Sequence, residues 1–184
     1  MGMLGHHFKY IVTALVLTVG HSIPLVAADL DELFSELQSS PPESQARIAK
    51  KIADEWEKNG SASLDLLSRR GKEAVEDRDF DAALDHFSAL IDHDPDFAEG
   101  YNWRATVYFL LGMTGPALDD LRTLLVKSPR HFAGMRGVGV ILEELGRPAD
   151  ALEVYRAVLQ IYPAYEGVTE AVERLELELE GQAI

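Results

Sequence analysis

The sequence predicts an all-α protein built as a helical-repeat solenoid, and three observations predict it. The first is a period. Ala83, Ala117 and Ala151 stand 34 residues apart, each followed by Leu84, Leu118 or Leu152, then by Phe87, Leu121 or Tyr155, and twelve positions after the alanine by Pro95, Pro129 or Pro163. A fixed spacing of this length marks supersecondary units that bury, by stacking, a face that none of them can bury alone. The second is that each unit carries two stretches of apolar residues at helical spacing, with a turn between them and a proline-ended turn after them. The third is the placement of small residues, Gly71, Ala105 and Gly139 in the first helices and the three alanines in the second, where helices must cross closely. A larger side chain at such a crossing costs about 1–3 kcal/mol. The product of such an array is a surface for holding another molecule.

Taken in chain order, the first element is a targeting segment. Lys9 with His6 and His7 makes a weakly basic start, Ile11 to Val19 is a short apolar run, and Pro24 precedes Val26, Ala27 and Ala28. This is the layout of a secretory signal over residues 1–28, with cleavage expected between Ala28 and Asp29. The apolar run is about half of the roughly 20 residues that a membrane span needs, so no integral span is expected after cleavage.

Residues 29–61 read as a degenerate leading helix pair. Asp29 to Gln38 and Glu43 to Asn59 are helical in pattern, split by Ser39, Ser40, Pro41 and Pro42. In frame with the array the pair places Ala49 at the alanine slot, but Ser61 stands where proline is required, and the pair is expected to cap one end of the stack. Three clear units follow over 64–165, namely 64–97, 98–131 and 132–165. In the middle one, Tyr101, Ala105, Tyr108 and Leu111 share a face, Gly112 to Gly115 supply the turn, and Pro116 is expected to open the second helix, where its missing N–H costs little. Ala117, Leu118, Leu121, Leu124 and Leu125 form the buried stripe until Ser128 and Pro129. The third unit repeats the plan with Met135, Val138, Gly139 and Leu142, a turn at Gly146, then Ala151, Leu152, Tyr155, Val158 and Leu159. Within 166–184, Val168, Val172, Leu175 and Leu179 make one apolar stripe on an otherwise acidic helix, as a solubilising terminal cap requires.

Composition narrows the function. The chain has 31 acidic residues against 17 Lys and Arg, a net charge of −14, and Lys9 is the only strong base ahead of Asp29. Such a surface repels phosphate backbones and anionic lipid, which argues against nucleic acid as a partner. The chain contains no cysteine, which excludes disulfides, thiolate metal sites, a cysteine nucleophile and lipid attachment through an N-terminal Cys. The expected compartment is a bacterial periplasm, with a eukaryotic secretory route as the alternative.

From about Leu64 to Tyr165 these residues resemble the tetratricopeptide repeat family. Its small, small, aromatic and proline slots are filled by Gly71, Ala83, Phe87 and Pro95, by Ala105, Ala117, Leu121 and Pro129, and by Gly139, Ala151, Tyr155 and Pro163. The resemblance implies a right-handed superhelix whose concave face is lined by the first helix of each unit. That face is then expected to carry Asp65, Ser68, Lys72 and Val75, then Asn102, Trp103, Thr106 and Phe109, then Arg136, Val140 and Glu143. Members of the family that grip a chaperone C-terminal carboxylate use Lys, Asn, Asn, Lys and Arg at five slots. Ser68, Lys72, Trp103, Ala133 and Gly137 occupy them here, so that activity is not carried over. With its export signal and the runs Val107 to Gly112 and Pro129 to Phe132, the chain is also similar to small exported tetratricopeptide proteins of Gram-negative bacteria, which implies protein interaction in the cell envelope.

Trp103, Phe109, Asn102, Thr106, Lys72, Arg136 and Val140 are therefore the expected partner-binding residues. Aromatic groups on a groove give large contact area at low entropic cost. The competing reading packs Trp103 against a neighbouring helix, and pairs Lys72 and Arg136 with acids of their own helices such as Glu76 and Glu143. Asp92, Asp94 and Asp96 have the alternation of a calcium loop, but Phe97 stands where the turn Gly is needed, Trp103 where the bidentate Glu belongs, and Pro95 interrupts it. His86 and His93 share a helix face without a third ligand at metal spacing. No Gly-x-Ser-x-Gly, phosphate-cradling loop with Lys, or His-Glu-x-x-His occurs, and the glycines at 134, 137 and 139 are explained by close helix crossing. The sequence thus reads as a non-enzymatic module with no cofactor or metal, whose partner is a protein or peptide segment held in the groove. The alternative is a self-associating structural protein that dimerises through the groove or the terminal helix, where Leu175, Leu177 and Leu179 point to more than one side.

Overall fold

A computed structural model describes residues 25–182; the expected signal segment up to Pro24 lies outside the described residues. Nine helices and no strand occur among the described residues: α1 (Leu25–Ser39), α2 (Pro42–Trp56), α3 (Ala62–Glu76), α4 (Phe80–His93), α5 (Ala98–Leu110), α6 (Thr114–Lys127), α7 (Phe132–Glu144), α8 (Pro148–Ile161) and α9 (Glu166–Gln182). From α3 to α9 each helix packs on the next in sequence order, and α3, α5 and α7 also lie side by side. The expected solenoid of three helical pairs and a terminal helix is what forms.

Local chemistry sets the joints. Arg78, Gly112 and Gly146, one period apart, all adopt positive φ of 60°, 72° and 69° at the ends of α3, α5 and α7. The following N–H of Asp79, Met113 and Arg147 donates back to the carbonyl of Ala74, Tyr108 and Leu142 at 2.8–2.9 Å. This left-handed close satisfies carbonyls that a helix end leaves orphaned. The second helices end differently. Asp94, Ser128 and Tyr162 are extended at φ −138°, −133° and −129°, as the residue before a proline is driven to be. Pro116 differs from expectation, because α6 begins at Thr114. Its missing N–H still falls among the first four of the helix, which have no intrahelical acceptor.

The crossings are matched in size. A Cβ on Gly71 would stand 2.6 Å from the Phe87 ring, and one on Gly139 would collide with the Tyr155 ring. Between them Ala105 faces the smaller Leu121. Gly opposite an aromatic ring, and Ala opposite Leu, match small against large at each crossing. Phe87, Leu121 and Tyr155 are buried. Arg104 of α5 fastens the middle unit by a bidentate pair with the buried Asp120 of α6 at 2.7 and 2.8 Å, and the Asp120 carboxylate holds the guanidinium pKa above its ordinary value. Removing one partner of so enclosed a pair costs about 3–5 kcal/mol.

The leading pair corrects the sequence reading. Phe34, Leu37, Ile48, Ala49 and Ile52 do not extend the front of the stack at α3; they share one buried cluster with Phe132, Leu142, Tyr155, Tyr162, Val168 and Leu175 of the last unit and α9. The hairpin α1–α2 is folded back along the row of proline turns. The Gln38 side chain donates to the Gln160 carbonyl, the Gln45 side-chain oxygen accepts from the Ala164 N–H at 2.8 Å, and Arg130 pairs with Asp31 while lying over the Phe34 ring. The hairpin thus covers the far end of the array, where its apolar face joins that of the last unit and α9 in one cluster.

Candidate functional site

The first helices of the three units, α3, α5 and α7, lie side by side, and what stands at each slot decides where the groove along them is open. Between α5 and α7 lies a pocket of about 230 Å3 lined by Asn102, Ala105, Thr106, Phe109, Leu121, Ala133, Arg136, Gly137, Val140 and Ile141. Five of the seven residues expected to bind a partner, Asn102, Thr106, Phe109, Arg136 and Val140, meet in it. Its floor is apolar, from Ala105, Leu121 and Ile141. Thr106 and Arg136 are exposed at the rim. Val140 and Phe109 are half-buried, so their outer faces are available for contact.

Trp103 and Lys72 are placed elsewhere. The Trp103 ring stacks on Phe87, with centroids 6.0 Å apart and planes 12° from parallel. Its indole N–H donates to Glu57 at 3.2 Å, and the Lys72 ammonium lies 4.9 Å from the ring centroid. Lys72 pairs with Glu57 and not with Glu76 as its own helix offered, because the end of α2 brings a carboxylate into the α3–α5 cleft. Arg136 likewise does not pair with Glu143. That carboxylate accepts from the Tyr155 hydroxyl at 2.8 Å and pairs with Arg174 of α9. Burial first, then the hydrogen bond to Glu143, pushes the Tyr155 hydroxyl pKa up. Among the described residues, Arg136 has no ion-pair partner.

Below the pocket runs a buried polar chain that sequence reasoning missed. Asn102 donates to one oxygen of Glu99 at 2.9 Å, and the other Glu99 oxygen lies 2.7 Å from His131 Nε2. His131 Nδ1 accepts the Gly134 N–H at 2.9 Å, capping α7. An accepting Nδ1 needs its lone pair, so the network assigns the ring proton to Nε2, donated to Glu99. Trp56 of α2 stacks on the imidazole at 3.9 Å. His131 and Glu99 are almost wholly buried, which makes the pair a structural tie between α5, α7 and the hairpin. The available signal was the period itself: His131 stands in the slot that Phe97 and Tyr165 fill, a polar residue at an aromatic position.

Asp94 and Asp96 serve the turn between α4 and α5. The Asp94 side chain accepts from the Asp96 N–H at 3.1 Å, and Asp96 pairs with Lys127, which holds its carboxyl below the ordinary range. His93 is exposed and His86 half-buried on α4. No cluster of three or more His, Cys, Asp or Glu able to hold a metal occurs among the described residues.

Stacked pairs with size-matched crossings and an open concave cleft define a tetratricopeptide solenoid. The tetratricopeptide repeat family model matches residues 68–113 and 117–166, and the chain belongs to that family. It is 36% identical over 153 residues to a TPR repeat-containing protein of Rhizobium etli, covering 83% of this chain and 75% of the relative. Two solved structures share the fold at low identity. The first TPR of Spaghetti (RPAP3), bound to the HSP90 peptide SRMEEVD, superposes with a TM-score of 0.60 at 20% identity, over 64% of this chain and 93% of that one. MamA protein superposes with a TM-score of 0.56 at 17% identity, over 82% of this chain and 80% of that one, a coverage that takes in more of the present helices.

Proposed function

We propose that the protein is a non-catalytic protein-interaction module of the periplasm, which holds an extended or helical segment of a partner protein in the cleft between α5 and α7 and so scaffolds cell-envelope assembly. The observation that carries this reading is the convergence of Asn102, Thr106, Phe109, Arg136 and Val140 on one open, apolar-floored pocket. Recognition of a peptide by the related fold bound to SRMEEVD supports the mode of use, though the residues here differ and the peptide class is not carried over. The N-terminal layout, a weakly basic start, a short apolar run and small residues at 26–28, supports export. No helix among the described residues is long and apolar enough to cross a membrane.

The test immobilises the protein as bait for an envelope fraction, beside a Thr106→Arg variant. Thr106 is exposed on the rim, so arginine there obstructs the pocket without entering the core. Proteins captured by the wild type and lost by the variant, at unchanged melting temperature, are the expected result. Capture that is indifferent to the substitution would count against the groove. Fractionation of cells making the protein tests the compartment. The alternative, self-association, draws on the exposure of Leu177 on α9, 72% accessible, and sedimentation equilibrium of the protein decides it.

A further inference from the structure

One period after Trp103 stands Gly137, and the surroundings of the two differ in step. Trp103 fills the cleft between α3 and α5 by stacking on Phe87. The counterpart of Phe87 is Leu121, and a Cβ on Gly137 would stand 3.4 and 3.6 Å from the Leu121 methyl carbons, an ordinary contact. The cleft between α5 and α7 therefore lacks the indole that its neighbour supplies from within, and the pocket of about 230 Å3 occupies that place. The charges follow the same rule. In the filled cleft, Lys72 meets the carboxylate of Glu57, which also accepts from the indole N–H. At the open cleft the cation is Arg136, exposed and without an ion pair among the described residues.

Resting on the reading of this cleft as a binding surface, we propose that it takes one aromatic side chain of a partner protein segment, with a single carboxylate close by in that segment paired to Arg136. The partner then brings from outside both groups that the preceding cleft obtains from its own chain, the ring of Trp103 and the acid of Glu57. An aromatic ring inserted against Leu121 and Ala105 buries large apolar area with few rotors to fix. The planar guanidinium receives a carboxylate through two parallel hydrogen bonds. The net charge of −14 disfavours a longer acidic run, so selection falls on an aromatic residue with one acid and not on a polyanion.

Isotope-labelled protein titrated with 3-indolepropionate, tryptamine and propionate tests this by NMR. Saturable shifts of the Thr106, Ala133 and Gly137 amides are expected with 3-indolepropionate. Tryptamine, with the same ring and a cation, is expected to bind about two- to fivefold more weakly, the range of an exposed ion pair. Propionate is expected to leave these amides unmoved. Gly137→Trp fills the cleft from within, as Trp103 does its own, and abolishes the shifts; Gly137→Leu serves if that variant does not fold. Arg136→Gln keeps ring binding and erases the preference for the acid. No saturable shift in the wild type, or shifts that survive a folded filling variant, overturn the proposal. Partner capture that persists in Gly137→Trp but is lost in Thr106→Arg leaves the groove standing and removes the aromatic occupant.

Discussion

Glu57, the residue that closes α2, accepts a 3.2 Å hydrogen bond from the indole N–H of Trp103, 46 positions later in the chain, and pairs with Lys72. This contact ties a hairpin whose apolar face lies on the last unit to the first two units. It also converts the position that a sequence reading marks as a ligand contact into an internal joint. Glu57→Ala is expected to destabilise the protein by about 1 kcal/mol, below the roughly 1.5–3 kcal/mol of an enclosed hydrogen bond to a charged group, since both ionic side chains remain about a third exposed. Denaturant unfolding measures the loss, and the Trp103 indole N–H resonance shifts in the same variant. An indole resonance that stays in place would show the contact to be absent in solution.

The matched crossings make opposite changes interpretable. Gly139→Ala puts a methyl into the Tyr155 ring and should cost about 1–3 kcal/mol. Leu121→Ala, at the crossing with Ala105, should cost about 2–5 kcal/mol by leaving a cavity. Thermal unfolding of both variants checks the pair, and an effect of Leu121→Ala below about 0.5 kcal/mol, typical of surface positions, would contradict its placement between stacked helices.

Arg78 adopts the left-handed conformation that its periodic counterparts Gly112 and Gly146 adopt without strain. Arg78→Gly relieves a side-chain clash of about 1–2 kcal/mol and gives back part of that as added freedom of the unfolded chain. A net gain of up to about 1 kcal/mol is expected. Gly112→Arg should lose a similar amount, and chemical denaturation of the two variants together tests the sign.

The repeating part of this fold is legible in the sequence because its determinants are local and recur. Helix periodicity, the left-handed closes near Gly112 and Gly146, the prolines after α4, α6 and α8, and the pairing of Gly71 with Phe87 all act within one unit or between neighbours. The α5–α7 cleft was legible for the same reason, since the register of the first helices of the units fixes which side chains share the groove face. Trp103 and Lys72 were harder. Their slots point into the groove, but the acid that engages both comes from α2, at a sequence distance that no period announces. The chain Asn102, Glu99, His131 and Trp56 escaped notice similarly, with only the histidine in an aromatic slot to hint at it.

By itself, then, the sequence determined that three helical pairs stack with a terminal helix behind them, because each pair carries its own apolar stripe, small crossing residues and turn chemistry. Tertiary structure alone decided where the first hairpin goes. An amphipathic pair states only that one face must be covered, and several apolar surfaces meet that demand. The far end wins through Tyr162, Phe132 and Val168 against Phe34, Leu37 and Ile52, locked by Gln45 on the Ala164 N–H, and the same placement brings Glu57 to Trp103 and Lys72 in the α3–α5 cleft.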